Sequence, residues 1–191
     1  MLSTTAIAVV ALTIFSGLLV WAAVSDFRRY IIPNQVSLGA LALYPVYVMS
    51  APEPINWQWA CVMAGIFFAV GFVMYLVRAM GAGDAKLLPV VMLWVGGKDF
   101  TAFIVVLVAG SLLLAFVIGV RTALAQMRAS EREEAAQAGG AAVAVSGFMR
   151  FARLIGELRH VPFFKIQVPY GVAIAAGGIT VAVNAVFTTL R

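Results

Sequence analysis

The chain has 191 residues, 63% of them hydrophobic and only 11% charged, with a mean hydropathy of +1.02. A soluble domain of this size has no use for so much apolar surface, so the chain reads as a polytopic membrane protein. The net charge of +5 would suit nucleic acid, but the basic residues are distributed as membrane topology demands, and no nucleic-acid partner is expected.

Six apolar segments follow one another: 4–24, 36–50, 57–77, 85–95, 100–120 and 168–190. The first would span about 31 Å as a helix, and no Lys or Arg precedes Arg28. It therefore reads as a retained transmembrane helix, not a cleaved signal. The second contains Pro45, which membrane helices tolerate. The third holds the single cysteine, Cys61; one cysteine allows neither an internal disulfide nor a cysteine zinc cage, and it reads as a packing residue. The fourth segment is short, about 16 Å as a helix. It crosses only if the glycines at its two ends lie below the membrane surface.

Charge sets the orientation. With the N-terminus outside, the inner loops hold Arg28, Arg29, Arg78, Lys86, Arg121, Arg128, Arg132, Arg150, Arg153, Arg159 and Lys165, against Lys98 and Arg191 outside. This asymmetry obeys the positive-inside rule and requires the fourth segment to count as a crossing. The expected architecture is thus all-α, with six transmembrane helices, the N-terminus outside, and residues 121–165 as a cytoplasmic loop between helices five and six. The first part of that loop reads as a solvated helix. In the second part, Phe148, Phe151, Ile155 and Leu158 recur at helical spacing. Residues 147–160 therefore read as an amphipathic helix, lying on the inner leaflet or packed on the bundle.

Two polar islands interrupt this apolar chain. One is Asp26 in Ser25-Asp26-Phe27-Arg28-Arg29-Tyr30-Ile31-Ile32-Pro33-Asn34; the other is Asp84 in Gly81-Ala82-Gly83-Asp84-Ala85-Lys86. Carboxylates at membrane edges are costly, which makes them candidates for function, and the topology puts both at the cytoplasmic side. Asp26 ends the first helix beside two arginines; Asp84 opens the fourth beside Lys86. The helix end disfavours charge on Asp26 while the arginines favour it, whereas the helix start and Lys86 both favour ionised Asp84; Asp26 is therefore expected to hold a proton and Asp84 to act as base. Asn34 reads as a helix cap with Pro33 just before it. Ser25 has no general base nearby in sequence, His160 has no partner at ligand spacing, and no cluster has metal spacing. No metal and no cofactor are expected.

Taken in order, the two islands and Pro169-Tyr170-Gly171-Val172-Ala173-Ile174-Ala175 resemble the type IV prepilin peptidases, bacterial relatives among the Gly-x-Gly-Asp intramembrane aspartyl proteases. The resemblance covers nearly the whole chain, expected as one membrane-embedded peptidase domain over residues 1–191. It implies that Asp26 and Asp84 are the catalytic pair, with Gly81, Gly83, Lys86, Arg28, Pro33 and Asn34 supporting the site. It also implies a prepilin substrate with a basic leader and an apolar helix, cut at the cytoplasmic face of the bacterial inner membrane among the membrane lipids. The larger family members carry Cys-x-x-Cys motifs and a methyltransferase activity. This chain lacks those motifs and is similar to the short peptidase-only branch of the Flp/Tad pilus systems. Other readings are an archaeal-type preflagellin peptidase, a small proton-coupled transporter or channel using the same aspartates, or a noncatalytic assembly factor.

Overall fold

A computed structural model describes residues 2–96, 99–137 and 170–190. Within them the protein is all-α, with six helices: α1 (Leu2–Arg29), α2 (Asn34–Ser50), α3 (Trp57–Leu76), α4 (Ala82–Val95), α5 (Phe100–Gln137) and α6 (Tyr170–Thr189). Each apolar segment becomes one helix. Four of them, α1, α3, α5 and α6, are long and apolar enough to cross a membrane, whereas α2 has 17 residues and α4 has 14. The basic stretch beginning at Arg121 continues α5 without a break as far as Gln137. The amphipathic stretch 147–160, His160 and Pro169 lie outside the described residues.

The chain forms two compact units, Met1–Ser111 with Pro169–Arg191, and Leu112–Val168. The first unit holds the main core. There α4 packs against α2, α3 and α6, and α1 packs against α2 and α6. Ten of the 14 residues of α4, from Asp84 to Val95, are buried. A helix enclosed by its neighbours has no need to match the bilayer with about 20 apolar residues of its own.

Small residues let the helices approach. Methyl groups added at Gly178 of α6 would meet Leu19 Cδ1 of α1 at 2.6 Å and Val91 Cγ1 of α4 at 3.0 Å. Gly71 of α3 lies against α4, where an added methyl would sit 3.3 Å from the carbonyl oxygen of Ala85. Pro89 lacks the N–H that would otherwise bond that carbonyl. Interfaces of this kind, built on glycine and alanine, suit helices that gain little from the hydrophobic effect among themselves. Only Ala60, Ala64 and Gly71 of α3 are buried. That narrow face leaves Cys61 exposed, contrary to its expected role in packing.

An aromatic cluster pins α1, α2 and α4 together. The Trp94 ring stacks on Phe15 at 4.1 Å and on Tyr47 at 5.1 Å, with Tyr44 edge-on at 5.7 Å. Its Nε1–H donates to the Ala40 carbonyl at 3.1 Å, so the one polar atom of the ring is satisfied in the core. Replacing Gly178 by Val is expected to lower the stability of the detergent-solubilised protein by about 1 to 3 kcal/mol through overpacking, read as a fall in melting temperature. Gly65→Ala, at a glycine with nothing within 4 Å, is expected to leave the melting temperature unchanged or slightly raised.

Candidate active site

Asp26 lies on the last turn of α1, and its carbonyl accepts the N–H of Tyr30 at 2.8 Å. Tyr30 has φ 52, a left-handed conformation that costs a residue with a Cβ on the order of 1 kcal/mol. That turn ends α1 and reverses the chain. Ser25 Oγ donates to the Ile31 carbonyl at 2.7 Å and ties the reversal down. Pro33 then takes the N-cap position of α2 with φ −62 and ψ 136. This corrects the expectation for Asn34: the ring of Pro33 fixes the φ that the cap position needs, so Asn34 is the first helical residue. Its side chain is thereby freed to accept from Lys86 Nζ at 3.4 Å.

Asp84 is the third residue of α4, after the N-cap Gly81. Its carboxyl turns back toward the Gly81 backbone amide, as one arm of a capping box does. The glycines before it serve two separate needs. A methyl at Gly81 would lie 3.3 Å from Asp84 Oδ2, and a methyl at Gly83 would lie 3.0 Å from Ile32 Cβ and 3.3 Å from Ile32 N. Gly83 thus lets the α1–α2 turn settle directly on the start of α4.

The two carboxylates, distant in sequence, come together. Asp26 is 4% exposed and Asp84 6% exposed. Both line a cavity of about 440 Å³ together with Gly81, Gly83, Lys86, Pro33 and Asn34. Arg28 alone of the expected site residues does not line it; its side chain is exposed. Among the described residues, no ion pair joins Asp26 to Arg28 or Arg29, or Asp84 to Lys86. The cations expected to set the division of roles therefore leave the pair to face each other, and the helix ends remain the difference between them. Asp26 Oδ2 and Asp84 Oδ1 are buried and accept no hydrogen bond. Buried polar atoms without partners are expensive, and both belong to residues that line the cavity.

Four lining residues, Tyr30, Ile31, Ile32 and Ala82, were not visible as site residues in the sequence. Tyr30 and Ile31 line the cavity from the turn. Ile32, 7% exposed, sits against both Gly83 and Gly171. An apolar Ile in a basic turn carries no chemical signal. Gly83→Val is expected to cost about 1 to 3 kcal/mol because its contact includes backbone that cannot move aside. The check is a melting curve alongside Gly81→Ala, whose methyl meets only the Asp84 carboxyl, nearest at Oδ2 at 3.3 Å, and which is expected to melt closer to wild type.

A model of the type IV leader peptidase family matches residues 13–124. That span includes both aspartates, the α1–α2 turn and the whole of α4. No curated protein and no solved structure gives a significant match. A family match over more than half of the chain, centred on the helices that bring Asp26 and Asp84 into one cavity, shows that this chain belongs to the type IV leader peptidase family.

Proposed function

We propose that the protein is a prepilin leader peptidase of the aspartyl class, with Asp26 and Asp84 as its catalytic pair. The observation that carries this reading is the meeting of two buried carboxylates in one cavity, within a chain of this family. Two carboxyls close together share a proton because both cannot ionise cheaply. The ionised one takes a proton from water; the protonated one hydrogen-bonds the scissile carbonyl. Water adds to that carbonyl to give a tetrahedral intermediate. The intermediate collapses as the leaving amine gains a proton, and no covalent adduct with the enzyme forms.

All six helices cross the bacterial inner membrane in this reading, with the N-terminus outside and the dyad toward the cytoplasm. The charge asymmetry supports it, as does the enclosure of α4 by other helices. The substrate is a Flp-type prepilin whose basic leader stays in water while its apolar helix enters the lipid. The chain lacks the Cys-x-x-Cys motifs and is read as peptidase only, without methyltransferase activity.

Co-expression with a Flp-type prepilin is expected to give a shortened pilin with the wild-type enzyme. At matched membrane levels, Asp26→Asn and Asp84→Asn should each reduce cleavage by at least about 1,000-fold, since each removes a proton-transfer partner. Cleavage that persists in either variant would sink the dyad. Cleavage of an archaellin-type leader in place of the prepilin would move the substrate class. Proton leak into liposomes that depends on Asp84 would favour the transporter reading. In purified enzyme, kcat is expected to follow a bell-shaped pH profile. Activity falls in acid as both carboxyls hold protons and no base remains, and falls in alkali as both ionise and no acid remains. The two limbs report the pair, not either residue.

A further inference from the structure

Gly171 reaches the Asp26 carboxyl from a helix that the family match does not cover. It is the second residue of α6 and is buried. A methyl placed there would lie 2.6 Å from Ile32 Cδ1, 2.8 Å from Asp26 Oδ2 and 3.0 Å from Asp26 Cγ. The first two are closer than real Cβ atoms come, so with a side chain at this position the end of Ile32 and the Asp26 carboxyl would both have to shift. The Gly171 backbone amide is turned toward both Asp26 and Asp84, and that of Val172 toward Asp26. The first amides of a helix have no partner inside the helix. Here they lie beside two buried carboxyls that each retain an unpartnered oxygen.

We infer that Gly171 is a positioning residue for the dyad: its bare Cα lets the first turn of α6 lie directly against the Asp26 carboxyl, with its amide turned to both aspartates, and so fixes their relative geometry. This rests on the reading of Asp26 and Asp84 as the catalytic pair. Orphan donors at a helix N-terminus suit a negatively charged or proton-sharing group. A donor common to both carboxyls holds them at one spacing whichever of them carries the proton. The amide acts through the aspartates and need not touch the substrate.

The test uses the whole protein in detergent. Tyr170-Gly171 is the only Tyr-Gly pair in the sequence, so labelling tyrosine with carbonyl ¹³C and glycine with ¹⁵N isolates one amide resonance. That resonance is expected to move with pH in the wild type and to stand still in the Asp26→Asn, Asp84→Asn double variant. A signal that ignores pH in the wild type, or that moves equally in the double variant, would overturn the proposal. This readout needs no substrate, so it stays separate from whether the protein cleaves prepilin.

A second arm separates positioning from packing. Ile32→Val removes Cδ1, one of the atoms a methyl at Gly171 would strike, and leaves the Asp26 contact in place. Gly171→Ala combined with Ile32→Val is expected to melt close to Ile32→Val alone, since the closest remaining contact is the end of the Asp26 side chain, which can shift. It should still turn over prepilin about 100-fold more slowly in kcat, the scale of a small misplacement of reacting groups, with KM little changed. Hydrolysis by the pair at the rate of Ile32→Val alone would show that Gly171 serves packing only.

Discussion

The site depends on how closely α6 approaches α1 and α4. Those two helices bear the carboxylates, and α2 and α6 each pack against both of them. The approach is made at two glycines, Gly171 and Gly178, seven residues apart. Gly178 meets Leu19 and Val91; Gly171 meets Asp26, with its amide turned to Asp84 as well. Leu19 and Asp26 are also seven residues apart, as are Asp84 and Val91. Seven residues is close to two helical turns, so contacts repeat on one face of each helix. The same spacing on three helices keeps them in register. The Leu19–Val91 level fixes the Asp26–Asp84 level about 10 Å away.

The register has a second anchor. Phe15 meets Trp94, so α1 runs from the aromatic cluster to Asp26 while α4 runs from Asp84 to the cluster. The two helices are therefore antiparallel. The distances from cluster to carboxylate, 11 residues on α1 and 10 on α4, agree to within about 1.5 Å of helical rise. Stacked aromatic rings at one end and bare glycines at the other let two helices of very different length, 28 and 14 residues, deliver their carboxylates to the same depth.

Holding two carboxylates together away from water opposes folding. Each loses hydration and each repels the other when ionised. The surrounding structure offsets this with backbone and not with cations. Arg28, Arg29 and Lys86 make no ion pair with the aspartates, while amides at the starts of α4 and α6 are turned toward them. An arginine paired to either carboxylate would hold it ionised and prevent it from giving or taking a proton. Lys86, bonded instead to Asn34, leaves its charge at the cavity wall without neutralising Asp84. The left-handed turn at Tyr30 and the extended Pro33 form the same economy on the other side, bringing Ile32 down as the apolar seal between Gly83 and Gly171.

Much was legible in the chain itself. Apolar runs long enough to be helices are recorded residue by residue in composition, and all six appear as helices. The isolation of Asp26 and Asp84 within such runs marked them because a charge there is costly whatever the fold. Gly81 and Gly83 announced a close approach. The identity of the approaching group was not legible, since Ile32 in a turn looks like any isoleucine, and the Pro169-Tyr170-Gly171 run, though it carried the resemblance, does not say what Gly171 touches. Nor did periodicity disclose that α4 is the enclosed helix, or that Pro33 and not Asn34 occupies the cap. Local chemistry decides which residues become helical and which are expensive to bury, and that much one sequence determined. The pairing of the two aspartates, their common depth and the helix end pressed against them depend on which faces meet across the bundle. Only the tertiary structure decided those, because contacts between helices are set by shape and register among residues far apart in the chain.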